Sequence, residues 1–549
     1  MSGLMVETSR VQKIKMDGER SKTLFLLFLL VLIYLPFITA PLFFDDLPFF
    51  ARSVSSFADA PFNFGLRWFP YVSIAFTWVF AGENPTWFRL GNLFLHGMNV
   101  LLLLLLLRQW ISLFVADESK EKLVAWGACL GALVFACHPL AVYGVGYLVE
   151  RSILMATMFS LIMQLAYLRG LLENNKKHLV LAVAAYFLAV FSKEHSVMAP
   201  AILLPLTWLM RERIRVSLST TVVTWVGFAL VALLVVMSSK GVIGMAYEPD
   251  AASLFGQQEM LHGVHELHLL SALTQAGLFF KYCVLMVLPN PAWMSIDMRE
   301  TFILSFRDWT SWLGLVAYIG YGLFALWCLF RGGRVALLGL ALLYPWLLFI
   351  TEFTTIRVQE SFVLYRSYLW LPGFMLLLPL LVSILPEKKI MLLGGMVALL
   401  LIPLAWNRLW VFENHFRLWD DAVQLLHGED RLGAQRTYYN RAHASAALKN
   451  WDAAIVDYQK SLAIDSSHPQ VYMALSTAFY GAQRYKEALA ILDKLIVQDA
   501  KNAELHFNKA MVLMKLNGKA ASLGELQLSC DLGKVLACGM VQLSHLKEN

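Results

Sequence analysis

Over roughly the first 400 residues, long apolar runs alternate with short polar connections. The first run, Leu24 to Phe44, is apolar except for one threonine and one tyrosine. A helix needs roughly 20 apolar residues to cross a bilayer, so this run is long enough. The same pattern predicts further spans at 88–108, 123–141, 152–168, 178–192, 196–210, 217–238, 311–330, 335–351, 368–385 and 389–406. With 23–43 they make about 11 spans. From about residue 407 the pattern turns amphipathic with a repeat of 34 residues. Trp451, Ala454 and Tyr458 recur as Tyr485, Ala488 and Leu492, and small residues recur as Ala442, Ser476 and Ala510. Paired helices with small residues at their crossings, at this period, have tetratricopeptide spacing. The expected fold is all-α: a polytopic membrane helix bundle over 23–406, connecting helices over 407–433, and a repeat solenoid over 434–549.

Composition agrees. Of 549 residues, 58% are hydrophobic and 15% charged, against about 25% charged in soluble domains. Mean hydropathy is +0.59. The net charge of +6 sits mainly in short loops, which sets topology and does not suggest nucleic-acid binding. Loops rich in Lys and Arg fall at alternate connections: 116–122, 169–177, 211–215, 331–334 and 387–389. Together with the basic tail 1–22 they are expected on the cytoplasmic side, which puts the repeats in the periplasm or a lumen. The membrane is read as a bacterial inner membrane, with the endoplasmic reticulum as the alternative. The first run is too long for a signal-peptide core and is followed by FFDDLPFF instead of a cleavage site, so it reads as a signal anchor. The stretch 268–288 breaks the alternation and carries Lys281 mid-segment. It reads as a helix lying in or dipping into the outer leaflet, tolerable where it lines a cavity.

Charge at the outer connections is the candidate chemistry. Asp45 and Asp46 emerge directly after the first span, at the head of a long loop, 44–87, that also holds Arg67 and many aromatics. The turn HPLAVYGVGYLVER brings His138, Glu150 and Arg151. SKEH brings Lys193, Glu194 and His195, and ESFVLYRSYLWLP brings Glu360, Tyr365, Arg366 and Tyr368. An enzyme using a lipid-phosphate sugar donor needs this set. A carboxylate accepts the proton of the attacking hydroxyl, and cations hold the departing phosphate. Lys281 suits a phosphate at headgroup level. Each residue also has a plainer role. The aspartates suit a helix cap, Arg151 can snorkel from a helix end, Lys193–Glu194 can lock a turn, and His138 and His195 can be structural. No pair of histidines has zinc-binding helical spacing. Adjacent carboxylates suit a divalent metal, but no cofactor is assigned. Cys530 and Cys538 would bridge in an oxidising compartment and stay thiols in a reducing one.

Several stretches resemble a known family. RWFPYVSIAFTWVFAGENPTWFRLGNLFLHGMN, HPLAVYGVGYLVERSILMATMFSLIMQLAYLRG, SKEHSVMAPAILLPL, KYCVLMVLPNPAWMSID and ESFVLYRSYLWLP resemble, in this order, segments of the transmembrane and tetratricopeptide-repeat O-mannosyltransferases and their bacterial relatives, which include pilin glycosyltransferases. The resemblance implies a class C glycosyltransferase fold and inverting transfer from a polyprenyl-phosphate sugar to a hydroxyl of a protein (O-glycosylation). It implies Asp45 or Asp46 as the base, Arg151 as a phosphate contact, and Lys193 and Glu194 as shapers of the site. Relatives often carry histidine where this chain has Arg89, while Asn92 and His96 match. The spacing of Cys530 and Cys538 resembles that of Sel1-like repeats, which implies a disulfide. The expected partners are a polyprenyl-phosphate-linked sugar, a protein bound by the repeats, and membrane lipid. Two rivals are a non-catalytic membrane-anchored scaffold for envelope assembly and an O-antigen ligase or polymerase, whose polar work lies mainly in a late loop.

Overall fold

The computed structural model describes residues 20–112, 121–239, 264–307, 309–358, 360–382 and 385–545. Most of the basic tail and most of the 116–122 loop lie outside these residues. The chain divides between Asn414 and His415 into two compact units, and no β-strand occurs among the described residues.

Among the described residues of the first unit, eight helices are long and apolar enough to cross a membrane, nine if a bent pair counts as one. They include α1 (Arg20–Phe37). After it come α2 (Trp68–Ala81), α3 (Pro85–Ser112), α4 (Glu121–Cys137), α5 (Pro139–Gly146), α6 (Arg151–Glu173) and α7 (Lys176–Ser192). The unit continues with α8 (Leu203–Met210), α9 (Leu218–Ser238), α10 (Val264–Val287), α11 (Thr310–Phe330), α12 (Gly333–Phe349) and α13 (Glu387–Val411).

The expected eleven spans are thus corrected in four places. The span at 123–141 is the bent pair α4–α5, kinked by 56° at His138–Pro139. Pro139 lacks an N–H, and the residue before a proline is pushed to extended backbone. His138 takes that conformation and its Nδ1 accepts from Leu140 N at 3.2 Å, capping α5. The span at 178–192 is α7, whose 17 residues lie at the short end of what a crossing needs. At 196–210, Pro200 interrupts the ladder, and the chain forms a 3₁₀ helix, Glu194–Ile202, before α8. Because a 3₁₀ helix rises faster, the two pieces together still reach about 30 Å. The span at 368–385 is broken into Leu364–Leu369, Leu371–Phe374 and Leu377–Val382.

The awkward 268–288 stretch falls within α10, whose residues Glu266–Val287 are long and apolar enough to cross. It packs along the first half of α11. Gly277 meets Gly314 near the start of α11, His268 reaches the Phe353 carbonyl at 2.6 Å, and Phe279 packs on Tyr318 and Phe349. Tyr321, midway along α11, also lies against Phe279 and Phe280, and α11 turns into α12 at Arg331–Gly332. At that turn Gly332 and Gly333 take φ of +77° and +55°, which glycine adopts without strain.

In the second unit α14 (His415–Gln424) leads into three helix pairs, α15–α16 (Ala434–Ala447, Trp451–Ile464), α17–α18 (Pro469–Gly481, Tyr485–Gln498) and α19–α20 (Ala503–Asn517, Lys519–Asp531). The second helices start at 451, 485 and 519, keeping the 34-residue period. Ala442, Ser476 and Ala510 are buried where partner helices cross. Arg441 ties the array to α14, pairing with Asp457 at 2.7 Å and Asp420 at 2.9 Å. A further helix, α21 (Val535–His545), follows, and the Cys530–Cys538 disulfide joins it to α20.

Candidate active site

The loop after α1 is fastened before it reaches any chemistry. Arg89 on α3 is buried and donates to the carbonyls of Ala40 and Pro41. Five residues further, Asp46 opens the short helix Asp46–Pro48 and is fully buried. Its Oδ1 accepts from Val149 N at 2.9 Å and its Oδ2 from Phe43 N at 3.2 Å. Burial pushes its carboxyl up to about 7, against the pull of those amides and of Arg89. Asp45 points the other way. Its side chain is exposed, and its backbone N–H donates to the Tyr147 hydroxyl at 3.1 Å. Aromatic contacts seat the rest of the loop: Phe50 on Phe88 at 4.8 Å and Phe62 on Phe191 at 5.7 Å between ring centres.

Tyr147 and Val149 lead into Glu150, which is buried with Lys193. The Lys193 ammonium donates to both Glu150 oxygens at 2.8 and 2.6 Å and to Ser152 Oγ at 3.3 Å. It also stands 4.6 Å from the centre of the Tyr365 ring, itself 6.2 Å from Tyr147. Burial lowers the Lys193 ammonium to about 8 despite the attraction of Glu150. Next to it Arg67 donates to Glu194 through Nε at 3.1 Å and Nη2 at 2.5 Å, a fork-on-carboxylate pair. Arg67 holds a left-handed backbone, φ +62°, to reach it. Burial alone would raise the Glu194 carboxyl, but Arg67 and His195 hold it well below the ordinary range. His195 continues the chain of charges, 3.6 Å from Glu352. Glu352 binds Arg366 at 2.7 Å and lies 3.4 Å from Arg357.

The structure therefore brings together Asp45, Asp46, Arg67, Glu150, Lys193, Glu194 and Arg366 through continuous contacts. Three expected residues stand apart. Arg151 turns into the bundle, donating to Asn92 Oδ1 and the Phe88 carbonyl at 2.9 Å, the Ser73 carbonyl at 3.0 Å and Thr77 at 3.2 Å. Gly91 leaves it room, since a Cβ there would lie 2.7 Å from the guanidinium. Arg151 thus clamps α2, α3 and α6 together through four of its five N–H donors. His138 is the cap of α5. Lys281 pairs with Glu300 and stands 4.8 Å from the Phe362 ring centre, at the margin of the cluster. Cys530 and Cys538 belong to the other unit.

Sequence reasoning passed over Tyr147, Glu352 and Arg357. Glu352 and Arg357 carried a signal, as charges closing an apolar span in TEFTTIR. Tyr147 carried none. Among the described residues, no group of three or more His, Cys, Asp or Glu is placed to hold a metal ion.

Comparison with known proteins bears on the second unit. A family profile of the tetratricopeptide repeat matches residues 445–511, from the end of α15 into α19. No curated protein matches the chain. Among solved structures, the Cut9–Hcn1 hetero-tetramer of the APC/C is similar at 11% identity, over 79% of this chain and 91% of that one, with a TM-score of 0.22. Yeast Tom70 is similar at 12% identity, over 77% of this chain and 76% of that one, with a TM-score of 0.17. Likeness at that level carries no argument about fold or function. What the comparisons establish is that this is a tetratricopeptide-repeat-containing protein.

Proposed function

We propose that the protein is a membrane glycosyltransferase of the class C type, moving a sugar from a polyprenyl-phosphate donor to a hydroxyl of a protein. The observation that carries this reading is the opposite setting of two adjacent carboxylates. Asp46 anchors the loop by two backbone amides, and Asp45 is thereby held open beside a cluster of buried ion pairs. An inert anchor gains nothing from burying Glu150, Lys193, Glu352 and Arg366, because desolvating charged pairs is costly. In the reaction, the acceptor oxygen attacks the anomeric carbon and its proton passes to Asp45. The bond from that carbon to the phosphate oxygen breaks, its electron pair leaves with the phosphate, and the anomeric configuration inverts. Arg67, Lys193 and Arg366 stand paired with Glu194, Glu150 and Glu352, and the departing phosphate takes over part of that pairing. The basic tail before α1 favours a cytoplasmic N-terminus, and the Cys530–Cys538 disulfide supports an oxidising compartment, periplasm or lumen, for the repeats. The repeats bind the acceptor.

Comparing glycoproteins from cells carrying wild type, Asp45→Asn and Asp46→Asn tests this. Loss of a general base lowers rate by about 10²–10⁴, so Asp45→Asn is expected to abolish product without lowering protein level. An unchanged profile across wild type, variant and gene deletion sinks the reading. The repeat match itself favours a second reading, a non-catalytic envelope scaffold, for which Asp45→Asn would be silent. A ligase or polymerase of envelope polysaccharide would instead lose a polysaccharide product.

A further inference from the structure

Helices α1, α4 and α13 enclose a groove of about 330 Å³ near their first turns, lined by Phe25, Trp126, Leu130, Leu133, Met391 and Ala398. Gly394 and Gly395 complete its wall, and a Cβ on Gly395 would meet nothing within 4 Å, so the groove is open there. The groove follows α13 from Ile390 to Ala398, about 12 Å of helix. An acyl chain fits it. One end is polar and basic: Ser21 and Lys22 line it, and the Lys22 ammonium stands 4.3 Å from the centre of the Trp126 ring. Arg20, at the start of α1, and Lys388 and Lys389, at the start of α13, are exposed.

We propose that this groove is a binding site for an anionic phospholipid, its acyl chain against α1, α4 and α13 and its phosphate at Lys22. An apolar slot closed by a cation selects a ligand with a greasy tail and a negative head. Lys22 is anchored over an indole, so its charge is presented at a fixed place. A basic side chain near an anionic lipid headgroup favours it roughly fivefold. The proposal rests on the membrane placement in the reading above and is independent of sugar transfer. A second groove, between α7 and α9 with Lys176 at one end, serves as the control.

Trp126 is the reporter. The full-length protein is reconstituted into phosphatidylcholine vesicles containing increasing mole fractions of brominated phosphatidylglycerol or brominated phosphatidylcholine. The Trp126 component of quenching is the difference between wild type and Trp126→Phe, which removes one of 17 tryptophans. Brominated phosphatidylglycerol is expected to reach half-quenching at a roughly fivefold lower mole fraction than brominated phosphatidylcholine. Lys22→Gln should equalise the two lipids and Lys22→Arg should keep the preference. Gly395→Leu should abolish the quenching by filling the slot, and Lys176→Gln should change nothing. Each variant is compared with wild type by thermal unfolding, so that a collapsed fold is recognised as such. Equal quenching by both lipids in wild type, or a preference that survives both Lys22→Gln and Gly395→Leu, overturns the site while leaving glycosyl transfer intact. Release of the protein from membranes by alkaline wash without detergent overturns the membrane placement and the site together.

Discussion

Asp45 and Asp46 have the same side chain and opposite environments, and their difference is measurable apart from activity. The Asp46 carboxyl stands at about 7 in the folded protein, above its ordinary value near 3.9. The sign follows. Below the ordinary value the group is protonated in both states and folding is unpenalised. As pH rises the unfolded chain releases its proton first, so stability falls until the pH passes about 7. The gap in unfolding midpoint between wild type and Asp46→Asn, measured in detergent, should therefore shift against wild type from about pH 4 to about pH 7 and level off above. Parallel curves would show that Asp46 is not buried as described. The Glu150–Lys193 pair makes a separate prediction. Lys193→Met strands a buried carboxylate and should destabilise by about 3–5 kcal/mol, whereas the double variant Glu150→Leu/Lys193→Met should recover most of that. Full loss in the double variant would mean that the pair's role is geometric, through Ser152 and Tyr365.

Elements in this chain are defined as much by their interruptions as by their lengths. Pro139 and His138 bend α4–α5, and that bend delivers Tyr147, Val149 and Glu150 to the loop after α1. Pro200 favours 3₁₀ geometry after Lys193, which turns Glu194 toward Arg67 and His195 toward Glu352. Straight spans would have carried these charges past one another. In the repeats the decisive element is the last. The disulfide ties α21 to α20 by closing a short loop. Replacing Cys530 and Cys538 by serine should cost about 2 kcal/mol. The effect should be read as faster amide exchange in α20 and α21, with α15 to α18 unchanged. Uniform acceleration across the array would show that the repeats unfold as one block.

At the scale of the molecule the chain is two units of different chemistry. One is a bundle rich in apolar surface, whose exposed residues include Leu218, Phe80 and Leu399. The other is a charged repeat array with its own core of Ala454, Tyr458, Leu475, Phe479 and Leu492. Residues 415–549 expressed alone are expected to be soluble and helical, with a cooperative thermal transition by circular dichroism. A broad, non-cooperative melt would mean that the array depends on the bundle.

The 34-residue period, the break in pattern near 407 and the apolar runs determined the class of the fold by themselves, because periodicity records which faces are buried. The acidic pair after the first run also stood out, since charge beside an apolar span is costly unless something uses it. The sequence could not separate Asp45 from Asp46, because one backbone rotation decides which carboxylate meets the amides of Phe43 and Val149. Nor could it assign Arg151, whose partners Asn92, Phe88, Ser73 and Thr77 lie 59 to 78 positions away. The count of straight spans was likewise beyond it, for hydropathy measures greasiness and not whether a proline has broken the ladder. Only the tertiary structure joined Arg67 to Glu194 and Lys193 to Glu150, because long-range ion pairs are chosen by how the helices pack, and no local signal encodes that choice.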